Sequence, residues 1–129
     1  MTDWNLRIGA MNLPVADLDE LRAFYARVFE VEPLGAGDDE LIYRFGDLFL
    51  AFRLDPSHEA ADGSALRLAR RGLGQLCLGV DDVTRAAADL EAVGVRLLCG
   101  PTDHSWGIRT VTFADPAGYL WELAQDTPS

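Results

Sequence analysis

Few side chains in this sequence are of types that do chemistry in pairs or clusters. His58 and His104 are the only histidines, and both fall in loop-like stretches, where a lone imidazole is more often solvated than ligating. Cys77 and Cys99 form no CxxC pair, which excludes a disulfide framework and a zinc cluster and reads as two buried, reduced core thiols. Glu122 is different: it is a carboxylate inside the apolar run Tyr119 to Ala124, a setting in which it could act as a general base. Arg109 could grip an anionic group through paired hydrogen bonds. The plainer use of these groups is a pairing of Glu122 with Arg109 or Gln75 that satisfies a polar floor. Tyr43, Phe52, Trp106 and Tyr119 could stack on a flat or cationic compound, though each of them also reads as core or rim filler. Trp106 stands out because it lies beside Gly107 on a loop.

Such groups need elements to position them, and an internal repeat supplies these. Met11 to Leu18 and Leu76 to Val83 share one order of apolar and acidic positions at a constant offset of 65 residues. Each begins with a period-two alternation, Met11/Leu13/Val15 and Leu76/Leu78/Val80, expected of a strand with one buried face. Each then meets an Asp and turns helical. Asp17 is a good N-cap with Glu20 three residues on, and the helix gathers Leu18, Leu21, Phe24, Tyr25, Val28 and Phe29 on one side. The second helix gathers Val83, Ala86, Ala87, Leu90 and Val93, with Gly94 where a left-handed C-cap belongs.

Shorter strand-like runs follow each helix. After the first come Val31 to Leu34, weakened by Pro33, then Leu41 to Phe45 and Leu48 to Phe52 around the turn Gly46-Asp47. After the second come Arg96 to Cys99, Thr110 to Ala114 and Tyr119 to Ala124, the last two joined by Asp115-Pro116-Ala117-Gly118. The class is therefore α+β, a βαβββ unit twice: module one at about 6–53, a connector at 54–73 and module two at about 74–126. Parity assigns the faces. If Met11, Leu13 and Val15 meet their helix, Ala10, Asn12 and Pro14 face away; likewise Gln75, Cys77 and Gly79 face away, as do Leu120, Glu122 and Ala124.

The 129 residues allow one domain of ordinary size. With 49% apolar and 25% charged residues the chain should bury a real core. Acidic residues outnumber basic ones by 21 to 11, every basic residue is Arg, and the net charge is −10. That balance argues against nucleic acid or an anionic membrane as partner and suits a neutral or cationic ligand. The connector's Arg67, Arg70 and Arg71 read as solvated or paired with acidic neighbours. No apolar run is long enough to span a membrane, and the amino terminus has neither a basic stretch nor an apolar run, so a cytoplasmic location is expected.

Two marks carry a family resemblance. One is the strand-Asp-helix start, Asp17-Leu18 running into Ala23-Phe24-Tyr25. The other is the loop Ser105-Trp106-Gly107-Ile108-Arg109 followed by a strand, the Asp115 to Gly118 turn and a last strand carrying Glu122. In this order they resemble the vicinal oxygen chelate superfamily of glyoxalases, bleomycin-resistance proteins and extradiol dioxygenases, over about residues 6–126. The resemblance implies two tandem βαβββ modules forming a curved mixed-sheet cup, often across a dimer.

It also implies where a divalent metal would sit, with one ligand on the first and one on the last strand of each module. The matching positions here are Ala10, Leu50 (or Ala51 if the shorter turn shifts the register), Gln75 and Glu122. Only Gln75 and Glu122 carry donors, short of the three or four ligands such a site needs, so no metal or other cofactor is expected.

Two functions follow. The first is a small-molecule-binding protein of the bleomycin-resistance kind, a homodimer, with ligand contacts from Asn12, Tyr43, Leu50, Phe52, Gln75, Trp106, Arg109 and Glu122. The second is a metal-dependent or metal-free lyase, isomerase or dioxygenase of the same superfamily in which Glu122 is the catalytic base.

Overall fold

The computed structural model describes residues 4, 6–56, 75–105 and 107–126. Trp106, His58 and the three connector arginines lie outside them. The chain divides into two compact units, 1–58 and 59–129.

In the first unit β1 (Ala10–Val15) leads into α1 (Leu18–Phe29), then β2 (Gly35–Ala36), β3 (Glu40–Phe45) and β4 (Leu48–Leu54). The sheet order is β1-β4-β3-β2, with β1 parallel to β4 and the other pairs antiparallel. Asp17 caps α1 by accepting from the Glu20 amide at 3.0 Å. The expected apolar stripe is used: Tyr25 packs its ring 5.0 Å from Tyr43 and 5.2 Å from Phe52, centroid to centroid. Such tilted and edge-on pairs add about 0.5–1.5 kcal/mol each to what burial itself provides.

Val31 to Leu34 is not a strand. Pro33 cannot donate to a ladder, and pairing begins only with the Leu34 amide, which reaches the Ile42 carbonyl at 2.8 Å, so the strand shortens to Gly35–Ala36.

The second unit repeats the plan with β5 (Gln75–Gly79), α2 (Val83–Ala92), β6 (Leu97–Asp103), β7 (Ile108–Ala114) and β8 (Leu120–Asp126), in the order β5-β8-β7-β6. Asp82 caps α2 by accepting from the Arg85 amide at 3.0 Å. At the other end Gly94, with φ of 86°, donates to the Glu91 carbonyl while Val95 donates to Leu90, both at 3.0 Å. That pair of bonds is the Schellman ending, and it needs the left-handed residue that glycine supplies. Both units are thus mixed four-stranded sheets with one helix packed on one face, an α+β architecture.

Candidate functional site: the open face of the second sheet

Which side chains share the helix-free face follows from register, because directly paired residues point the same way. In the second unit Cys77 pairs with Glu122, Glu122 with Thr112, and Thr112 with Cys99. These four form one row across all four strands. Gln75 lies two residues before Cys77 on the same face of β5, paired with Leu120, and Ala124 continues the face on β8.

The Cys77 thiol donates to Glu122 Oε1 at 3.7 Å. Burial, then the charge of Glu122, push the Cys77 thiol up from its ordinary value. Both cysteines are exposed, not core thiols as their residue type suggests; alternation had already placed Cys77 on this face, and composition pointed the wrong way. At the far edge His104 lies half-buried with Nε2 2.9 Å from the Thr110 hydroxyl, rather than solvated in its loop.

A bulge brings this edge into place. The β6–β7 register shifts between Leu97 and Cys99 and again between Cys99 and Thr102. Gly100 sits in the second shift with φ of 91°, and a Cβ there would stand 2.5 Å from the Thr110 carbonyl oxygen. Only glycine lets the two strands approach so closely.

Arg109 is not on this face. It pairs with Asp103 and Gln125, its Nε donates to Asp103 Oδ1 at 2.6 Å, and its Nη1 reaches the Thr84 hydroxyl on α2 at 3.3 Å. The guanidinium is turned to the helix side, where Gln125 also accepts from the Val83 amide at 2.7 Å. The Arg109 hydrogen bond holds the Asp103 carboxyl below the usual carboxylate range.

The first-unit candidates separate in the same way. Tyr43 pairs with Leu50 and Leu41 with Phe52, and Tyr43, Leu50 and Phe52 are at most 1% exposed. All three belong to the core beneath α1, with Tyr43 and Phe52 packed on Tyr25. Asn12 does face away from the helix, exposed, and its partner is Ala51. So Ala51 and not Leu50 occupies the place that Glu122 holds in the second sheet. Two residues separate the paired Phe45 and Leu48, whereas three separate Asp115 from Tyr119, whose carbonyl accepts from the Asp115 amide, and that one-residue difference shifts the alignment by one.

The longer turn is built around Asp115, which is fully buried. Its Oδ1 accepts from the amides of Ala117 at 2.9 Å and Tyr119 at 3.0 Å, and so fixes where β8 begins. Tyr119 is buried beside it, and burial pushes its phenol well above the ordinary value, with the charge of Asp115 adding to the effect.

Among the described residues no group of three or more His, Cys, Asp or Glu is placed to hold a metal ion. Nor is any helix among them long and apolar enough to cross a membrane.

The model of the Glyoxalase/Bleomycin resistance protein/Dioxygenase superfamily matches residues 7–123. Among solved structures, a glyoxalase/bleomycin resistance protein/dioxygenase from Nocardioides superimposes with a TM-score of 0.72 at 17% identity, covering 99% of this chain and 88% of that one. A bleomycin-binding protein complexed with bleomycin gives 0.67 at 26% identity, over 94% of this chain and 98% of that one. A bleomycin resistance determinant encoded on the transposon Tn5 gives 0.68 at 26%, over 97% and 98%. No curated protein matches the chain.

Proposed function

Because the chain belongs to the glyoxalase/bleomycin resistance protein/dioxygenase superfamily, we propose that it is a small-molecule-binding protein with a degenerate metal site that sequesters a drug-like or natural-product ligand, as in antibiotic resistance. One observation carries this reading. Ala10 and Ala51 stand at the positions in the first sheet that Gln75 and Glu122 hold in the second, and a methyl side chain has no donor atom to offer a metal. One amide and one carboxylate do not make the three or four ligands a catalytic divalent ion needs.

The charge of the face suggests the ligand class. Glu122 is the carboxylate in the Cys77–Glu122–Thr112–Cys99 row, and the nearby guanidinium of Arg109 is turned away and held by Asp103. A cationic ligand with a flat ring system suits that face and the net charge of −10. The complexed bleomycin-binding relative supports the same class. Trp106, beside the described Gly107, is assigned to stack on the ligand.

The test is calorimetric titration with bleomycin as the first cationic probe. We expect Glu122→Gln to weaken binding by roughly tenfold, about 1.4 kcal/mol. Equal affinity in the two proteins would remove this face from the site. A second reading is favoured by the half-buried position of Glu122: a lyase, isomerase or dioxygenase with Glu122 as base. It requires product to accumulate and Glu122→Gln to abolish turnover without loss of fold.

We also assign a cytoplasmic homodimer. Open sheets leave β1, β2, β5 and β6 as edges, and Leu6 and Ile8 beside β1 are exposed apolar side chains. Light scattering at a monomer mass would refute the dimer.

A further inference from the structure

We propose that Glu122, together with Gln75 and Thr112, holds a protonated amine of the ligand by directional hydrogen bonds, so that the second sheet selects a primary or secondary ammonium over a quaternary one. This rests on the assignment of that face as the surface for a cationic ligand, and it names the kind of cation.

Glu122 is a carboxylate withdrawn from solvent without a countercharge. Glu40 and Asp115, also withdrawn from solvent, are matched: Glu40 lies 3.9 Å from Arg53, and Asp115 accepts from two amides. Glu122 is half-buried between Leu120 and Ala124 of its own strand, and no ion pair reaches it among the described residues. Its hydrogen-bond partner is the Cys77 thiol at 3.7 Å, a weak and uncharged donor. Arg109, the guanidinium on the neighbouring strand, is held by Asp103 and Thr84 on the helix side and does not answer it. A partly desolvated carboxylate in this position gains from a cation that brings its own N–H donors.

The groups around Glu122 are acceptors. Thr112 is directly paired with it, one strand spacing or about 4.8 Å away. Gln75 stands one strand over and two residues along, about 8 Å between Cα atoms, so two long side chains can close on one nitrogen. A carboxylate, a hydroxyl and an amide carbonyl together suit the two or three N–H donors of an ammonium. The charge matches as well, since one carboxylate balances one ammonium, whereas a divalent ion would keep a surplus charge and too few ligands.

A quaternary ammonium has no N–H to donate and is recognised by a cage of aromatic faces. The second sheet turns its rings the other way. Phe113 pairs with Trp121, and both are buried on the helix side. Among the described side chains that β5, β7 and β8 turn to the open face, none is aromatic.

The experiment uses two probes with one ring system and one positive charge, naphthylmethylammonium and its trimethylammonium analogue. Each is titrated into the full, isotopically labelled chain at neutral pH, and affinities are read from amide NMR shifts. The ammonium should bind at least about tenfold more tightly, with the largest shifts on β5 and β8, and Glu122→Gln should remove that preference. Gln75→Ala should weaken the ammonium about threefold and leave the trimethyl analogue unchanged. Circular dichroism checks that Glu122→Gln is folded; if it is not, Gln75→Ala, at an exposed position, decides in its place. Equal affinity for the two probes overturns the proposal and leaves the cationic reading of the face standing. A preference that survives in Glu122→Gln also overturns it, because the bulk of the methyl groups would then be its cause. If neither probe binds while bleomycin does, the ammonium site falls and small-molecule binding stands; if bleomycin fails too, both fall.

Discussion

Asn12 pairs with Ala51 in the first sheet at the register position where Cys77 pairs with Glu122 in the second. The two units share a backbone plan, and the chemistry is confined to one of them. On the helix-free face the first sheet offers an amide and a methyl group where the second offers a thiol and a carboxylate. On that face of the first sheet Glu40 and Arg53 approach each other to 3.9 Å, and Arg44 donates from Nε to the Gly46 carbonyl at 2.9 Å.

Elemental analysis after dialysis should therefore find divalent metal well below one equivalent per chain. One tightly held ion per chain would show that donors other than Gln75 and Glu122 complete a site.

Arg109→Ala should leave ligand affinity at its wild-type value, since the guanidinium is spent on Asp103 and Thr84 on the helix side. Only a small fall in melting temperature is expected, because the ion pair is largely exposed. A large loss of affinity in calorimetry would return Arg109 to the ligand face.

Asp115→Ala should cost about 1.5–3 kcal/mol in urea unfolding, because two buried amides lose a charged acceptor. Asp115→Asn keeps an acceptor oxygen and should cost less. Equal losses would show that charge, not hydrogen bonding, sets the turn.

Tyr43→Phe should be neutral or stabilising by up to about 1 kcal/mol in the same assay. The Tyr43 hydroxyl is buried with no hydrogen-bond partner among the described residues, and such a group carries its desolvation cost uncompensated. A clear loss of stability would mean that the hydroxyl has found one.

Alkaline pH should unfold the chain by way of its tyrosines. Burial pushes both Tyr43 and Tyr119 up, so the folded state keeps protons that the unfolded chain releases near pH 10. The folded pKa is raised, so this contribution is intact below about pH 10 and is lost as pH rises beyond it. Absorbance at 295 nm should show these phenols ionising together with unfolding. Ionisation well before unfolding would contradict their burial.

How much the residues disclosed depends on the range of the rule used. The caps at Asp17 and Asp82 and the alternation of β1 and β5 are local, and were legible. The core positions of Tyr43, Leu50 and Phe52 were legible too: Leu41, Tyr43 and Phe45 alternate as Leu48, Leu50 and Phe52 do, and each trio marks one buried face. Aromatic type alone does not separate a ligand surface from such a buried face, and the alternation does. Arg109 is another matter. Its partner Asp103 is set by the β6–β7 register, which depends on a bulge at Gly100 that no periodicity announces. The Ala51 position hinged on a difference in turn length that counts only once both hairpins are seen.

In both units the first strand lies parallel against the last, and this orders events on the ribosome. β5 can join its sheet only when β8 has been made, and Cys77 waits 45 residues for Glu122. The first unit closes on β4, which precedes β5 in the chain. Until β8 is made, β5 is an unpaired edge in the nascent chain, and such non-local closure is the slow part of folding. A stall in synthesis between β5 and β8 would therefore leave β5 without its partner strand, an open edge exposed to misassembly.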